Sequence, residues 1–358
     1  MPAEILPTHT PQLFDLAVER AASLLRAGEV VALPTETVYG LAANAFDPRA
    51  VARIFQIKGR PSQNPIIVHV ASPALARQCV LDWPSLADKL ARAFWPGPLT
   101  LVLPRSKQIP ETVTAGGPTV GVRWPSHPLI QAVIRACDFP LAAPSANISN
   151  QLSPTNADHV RKALADEIPL IVDGGQCQVG IESTVLDLSV TPPRILRPGM
   201  IHSEAILAVT GELGTAGRAA GHLKSPGQLP KHYSPEARMI ILSWRDDADL
   251  RSQLVVVAPA SPGSSIGGSR ITQPAAPKLG AKAGHASRIH LIAHTHIPSS
   301  EGLGSVSVIP HDPEAFARAI YAELHRADEA GARLIVVEAL PEGNEWQAIK
   351  DRLNRAAA

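Results

Sequence analysis

Apolar residues recur every three or four positions along 11–28 (PQLFDLAVERAASLLRAG), where Leu13, Phe14, Ala17, Ala21, Leu24 and Leu25 share one face. That spacing predicts an amphipathic helix with Gly28 as its stop. EVVALP (29–34) predicts a short strand halted by Pro34. Asp47-Pro48 reads as an N-cap with proline at the first helical position, opening a helix over 48–57. A strand is expected over 65–70, and helix in two pieces around Trp83-Pro84 over 73–94. LTLVL (99–103) is apolar without alternation, so it is expected to be a strand buried on both faces. Further strands are predicted at 119–124, 141–143, 169–173, 183–188 and 194–196, and further helices at 127–136, 158–164 and 203–211. The pattern is mixed α/β, with too many short strands and too few crossovers for a doubly wound sheet.

The rhythm changes near residue 212. ELGTAGRAAGHLKSPGQLPKHYSPEA (212–237) lacks apolar periodicity and reads as a linker. Strands are then predicted at 238–244, 253–259, 288–293, 305–310 and 333–340, with helices at 313–330 and 344–356. The strand–helix–strand–helix ending suggests a smaller Rossmann-like domain. The Gly/Ser/Pro/Ala-rich stretch 259–288 is expected to be a long loop. The expected organisation is therefore a first domain over 1–211, a linker over 212–237 and a second domain over 238–358.

Composition narrows the classes. The chain has 358 residues, enough for two domains, and a net charge of +1, which argues against a basic field built for nucleic acid. Aromatic residues make up 4%, few for stacking on single strands. Cys79, Cys137 and Cys177 are far apart, fit no metal spacing and read as small buried hydrophobes. No apolar run nears the roughly 18 residues of a membrane helix, and the N-terminus has no signal-peptide pattern, so a cytoplasmic protein is expected.

No phosphate-binding P-loop, Gly-x-Gly-x-x-Gly or Gly-x-Ser-x-Gly motif is present. His294-Thr295-His296 is read as exposed histidines rather than a metal site, with no acidic partner at ligand spacing. Other segments place polar and cationic groups at strand ends. In PTETVYGLAANA (34–45), Thr35, Thr37 and Tyr39 fall on one side of an extended chain, either as a ligand grip or as turn caps. In KGRPSQNP (58–65), Lys58 and Arg60 flank Gly59 ahead of two prolines. An ammonium beside a planar guanidinium suits a polyphosphate, although cations also favour a helix C-terminus. PSANISNQLSPT (144–155) packs Ser145, Asn147 and Ser153 after a short strand, again as a grip or a turn. Arg197 stands in ILRPGM (195–200), and KHYSP (231–235) places rings inside the linker. Lys58, Arg60, Arg123 and Arg197 can converge on one anion-rich ligand, such as ATP without a P-loop.

Seven segments, in this order, closely resemble the YrdC-like family of threonylcarbamoyl-AMP synthases: PTETVYGLAANA, KGRPSQNPIIVH, WPGPLTLVL, VGVRWPSHP, APSANISNQLSPT, DGGQCQVGIESTVLDL and ILRPGM. SPGQLPKHYSP and the second domain are similar to its longer, two-domain form. The resemblance implies an open twisted sheet with a concave cleft. It implies an enzyme joining L-threonine, bicarbonate and ATP into threonylcarbamoyl-AMP and pyrophosphate, with Mg²⁺ accompanying ATP and no organic cofactor. A separate transferase complex would pass the product to tRNA, with at most a weak tRNA contact by this chain. Threonine would be held by Thr35, His69, Arg123, Ala143 through its backbone, and Ser183. ATP would be held by Lys58, Arg60, Ser62, Thr119, Ser145, Asn147, Ser153, Arg197, His232 and Tyr233, with Lys58, Arg60, Ser145 and Asn147 as the catalytic signature. KHYSP would be a latch over the cleft. The rival expectations are a double-stranded RNA or tRNA-binding module without catalysis, and carbamoyl transfer to another acceptor.

Overall fold

The computed structural model describes residues 2–215, 223–226, 232–257 and 288–358. The expected 259–288 loop, Arg288 apart, lies outside the described residues, as do 216–222 and 227–231 of the linker. The chain begins β1 (Glu4–Pro7), α1 (Pro11–Arg26), β2 (Val31–Leu33), β3 (Gly40–Asn44), α2 (Pro48–Lys58), β4 (Val68–His69), α3 (Pro73–Cys79) and α4 (Ser85–Phe94). It continues β5 (Leu99–Pro104), α5 (Glu111–Thr114), β6 (Thr119–Arg123), α6 (Pro128–Cys137), β7 (Leu141–Ala142), α7 (Ala157–Leu164) and β8 (Leu170–Asp173). β9 (Thr184–Asp187), β10 (Arg194–Arg197) and α8 (Ser203–Thr210) complete this part. Its strands form one ten-stranded mixed sheet, ordered β1-β8-β2-β3-β7-β4-β6-β5-β9-β10.

Local chemistry sets the helix ends. Thr10 accepts from Leu13 N and Asp47 from Arg49 N, each followed by proline at the first helical turn. α2 stops at Gly59, whose φ of 56° is left-handed, and the turn throws Arg60 off the helix axis just after Lys58. β5 is buried from Leu99 to Leu103, as its unalternating pattern predicts. β3 was not foreseen, because GLAAN lacks β-formers. Its place between β2 and β7 demands small residues instead: a Cβ on Gly40 would stand 3.3 Å from that of Ala143.

The second part comprises β11 (Arg238–Leu242), α9 (Asp247–Val257), β12 (Ile289–Ala293), β13 (Ser305–Val308), α10 (Pro313–Glu329), β14 (Leu334–Glu338) and α11 (Gln347–Ala356). Its four strands are all parallel, ordered β11-β14-β12-β13. Of the strand expected at 253–259, residues 253–257 are instead part of α9, and 258–259 lie outside the described residues. Asp246 accepts from Asp249 N at 2.8 Å, and Leu250 and Leu254, one turn apart, bury beside Trp244. Capping and leucine spacing thus outweigh the β-propensity of Val255 and Val256, which stay exposed. The two parts touch closely: a Cβ on Gly180 (φ 82°) would stand 2.4 Å from Ala317 O in α10.

The His294–His296 reading is also corrected. His294 is buried, and the acidic partner comes from β14. The Glu338 carboxylate accepts from His294 N at 2.6 Å, Thr295 N at 2.9 Å and His296 N at 3.1 Å, and from the Thr295 hydroxyl. Burial pushes this carboxyl up, but the His294 and Thr295 N–H groups, the Thr295 hydroxyl and the His296 ring carry it down from 4.5 to about 2. A folded-state value below the unfolded one gives stability that is full above about pH 5 and is lost as pH falls toward 2. Glu338→Gln is expected to cost about 3 kcal/mol at neutral pH, and urea unfolding should show that gap shrinking between pH 5 and pH 2. A gap independent of pH would contradict the assignment.

Candidate active site

A cleft opens where several strand ends meet the linker. Thr35, Arg60, His69, Arg123, Ala143, Ser145, Ser183, Arg197, His232 and Tyr233 all line it. The sheet order accounts for this meeting: β4, β6 and β7 are neighbours, and β9 and β10 close the sheet beyond β5.

Arg123 ends β6. Its Nη2 pairs with Glu36 Oε1 at 2.6 Å, its Nη1 donates to Thr37 Oγ1 at 2.9 Å, and its Nε to Gly97 O at 3.3 Å. Thr37 and Thr35 hydroxyls are 2.9 Å apart. The expected third member, Tyr39, faces away, donating to Gly175 O and accepting from Gly174 N, because the segment bends instead of staying extended. Burial, then the charge of Arg123, holds the His69 imidazole well below its ordinary value, so the ring is neutral.

Arg60 donates from Nε to Asn64 O and from Nη2 to Pro65 O, which locks the fork between the two prolines. Arg197 donates from Nε to Ser183 O and from Nη2 to Ser183 Oγ, both at 3.1 Å, and from Nη1 to Pro226 O of the linker at 3.4 Å. All of these partners are neutral, so both guanidiniums keep their charge for a ligand. Burial lowers both from their ordinary values. Among the described residues neither is ion-paired.

Lys58 is arranged differently. Its buried ammonium donates to Ser145 O at 2.6 Å and to Asn147 O, with Asn147 Oδ1 at 3.4 Å. Asn147 Nδ2 donates to Ile148 O and Gln151 O. Both side chains therefore shape the 145–151 loop that presents Ser145. Ser153 lies behind the cleft and donates to Glu182 Oε1 at 2.6 Å. Ser62 is exposed in the loop after α2 and does not line the cleft. Thr119 begins β6, four residues and about 13 Å of strand from Arg123, and does not line it either.

From the linker, His232 and Tyr233 join the lining. Tyr233 has a φ of 63°, a left-handed conformation uncommon for a non-glycine residue, and its ring lies 5.9 Å from that of Tyr321 and 5.4 Å from the Arg352 guanidinium. His232 packs edge-on to it at 4.0 Å. Burial holds the His232 ring at about 3, so it is neutral, and its Nδ1 is buried without a hydrogen-bond partner among the described residues. Sequence reasoning missed Glu36 and Glu182, each an acid adjoining a hydroxyl residue it did name (Thr35, Ser183). It also missed Tyr321 and Arg352, for which the sequence offered no signal.

Together the mixed sheet, the parallel second sheet and the cationic cleft define a two-part α/β enzyme. A family model described as "Telomere recombination" matches residues 23–199, and one described as "Threonylcarbamoyl-AMP synthase, C-terminal domain" matches 201–358. The threonylcarbamoyl-AMP synthase of Pyrococcus abyssi is 37% identical over 94% of this chain and 93% of its own. That of Bacillus subtilis is 38% identical over 98% of this chain and 94% of its own. The crystal structure of P. abyssi Sua5 complexed with L-threonine superposes with a TM-score of 0.83 at 34% identity, covering 100% of this chain and 98% of that one. The chain belongs to the threonylcarbamoyl-AMP synthase family, in its two-domain form. It is an enzyme of the nucleotidyltransferase type.

Arg123 and Glu36 are both buried, so removing one partner strands a charge. Arg123→Gln is expected to cost about 3–5 kcal/mol in guanidinium unfolding, and Arg123→Gln with Glu36→Gln to recover most of it. Simple additivity of the two single losses would contradict the pairing.

Proposed function

We propose that the chain joins L-threonine, bicarbonate and ATP into threonylcarbamoyl-AMP and pyrophosphate, for threonylcarbamoyladenosine modification of tRNA in the cytoplasm. A separate transferase would receive the product. The observation that carries this reading is one cleft holding two kinds of grip. The neutral His69 and the paired Arg123 suit an amino acid, and the unpaired Arg60 and Arg197 suit a polyphosphate.

In this reading Arg123 takes the threonine carboxylate. Thr35, Ser183 and the Ala143 backbone orient its polar groups, and Val38 and Ile67 face its methyl. A neutral His69 receives the amino group without adding a like charge beside Arg123. The amine attacks bicarbonate, giving the carbamate and water. A carbamate oxygen then attacks the α-phosphorus as the bond to pyrophosphate breaks. Arg60 and Arg197 offset the charge gathering on the departing pyrophosphate, so positioning and electrostatics supply the rate without a protein nucleophile. Lys58 and Asn147 contribute by holding the loop that carries Ser145.

Mg²⁺ would arrive with ATP. The described residues contain no group of three or more side chains able to hold it, and both Glu182 oxygens are already taken by protein donors, so no step is assigned to the metal. Among the described residues no helix is long and apolar enough to cross a membrane.

Pyrophosphate release from ATP by the purified chain should require both threonine and bicarbonate. Arg60→Gln should lower it by about 10²-fold, as loss of a transition-state charge contact does. Release indifferent to threonine, or salt-sensitive RNA binding with no release, would overturn the proposal.

A further inference from the structure

The second domain reaches the cleft through one buried side chain. Arg352, on α11, is 1% exposed although it is an arginine. Its Nε donates to Glu182 Oε2 at 2.8 Å. Its Nη2 donates to Pro198 O at 3.0 Å and to Glu182 O at 3.3 Å, and its Nη1 to Asp351 at 2.8 Å. The guanidinium also lies 5.4 Å from the Tyr233 ring centre. Tyr321, on α10, donates to the same Glu182 oxygen at 3.2 Å, and Ser153 donates to the other. Helices from the second domain thus hold the residue before Ser183, the residue after Arg197, and the ring that closes the linker.

Glu182 is a buried carboxylate that lines a cleft suited to anions. Left alone it would do harm in two ways. Its charge would repel a phosphate, and it would attract Arg197, whose own partners are neutral and whose charge already acts on it. Among the described residues the other groups facing it do not supply a cation: Ser153, Tyr321 and Tyr233 are neutral, and the His232 ring is neutral.

We infer that Arg352 is a positioning residue for the reaction: the counter-ion by which the second domain holds Glu182 away from Arg197, leaving Arg197 to bind the polyphosphate. This role rests on the proposed function for the identity of the anion, and on geometry alone for the placement of Glu182. It gives the second domain a part in substrate binding as well as in carrying the linker.

The test uses the full chain with Arg352→Met, and with Arg352→Met combined with Glu182→Gln. The single variant is expected to lower kcat/KM for ATP about tenfold or more, the loss of one charge-assisted contact. The double variant should regain most of that kcat/KM, because neither charge remains. A double variant as weak as the single would reduce Arg352 to an interdomain tie and overturn the inference. A crystal structure of the Arg352→Met chain provides a readout independent of ATP. Glu182 turned onto Arg197 supports the inference, and Glu182 unmoved opposes it. If wild type binds no ATP, the functional reading fails, while that structure still decides the role of Arg352.

Discussion

Burying cations is the constraint on which this site depends. Lys58, Arg60, Arg123 and Arg197 are all nearly inaccessible, and an uncompensated buried charge costs several kcal/mol. The protein meets that cost in three ways. Lys58 sits among loop carbonyls, Arg60 and Arg197 among carbonyls and a hydroxyl, and Arg123 against a carboxylate. Only the last neutralises its cation. A cleft built this way is desolvated in advance yet keeps positive charge, so an anion entering it would displace little water and meet rigid donors.

The prolines and glycines follow from that arrangement. Carbonyls can hold a cation only where the backbone has left its ladder, at strand ends and helix stops. Gly59 ends α2 with a left-handed turn, and Pro61 and Pro65 fix the short loop whose Asn64 and Pro65 carbonyls receive Arg60. Arg197 is set at the end of β10 next to a break in the pairing with β9. The linker then becomes part of the cleft wall, since Arg197 also bonds Pro226, and Ser234 N donates to Asn150 O.

Much of this was legible in the chain. One helix start announced itself through Asp47-Pro48, and the buried strand through LTLVL, because caps and hydrophobic period are local signals. The segment 253–257 misled for the same reason: valines report local preference, whereas the leucines at 250 and 254 answer to a core assembled from distant strands. In the site, residues at strand ends could be anticipated as a group. Their division of labour could not, since whether Lys58 faces a ligand or a carbonyl depends on a loop 87 positions away. Arg352 and Tyr321 carried no mark at all, their partner being 170 and 139 positions away.

The central claim is that one cleft receives a polyphosphate at Arg60 and Arg197 and an amino acid at Arg123. A crystal structure of the full chain with L-threonine and a non-hydrolysable ATP analogue tests it most directly. The account predicts phosphate oxygens within hydrogen-bonding distance of Arg60 and Arg197, and the threonine carboxylate on Arg123. A nucleotide bound elsewhere, or threonine bound away from Arg123, would contradict it.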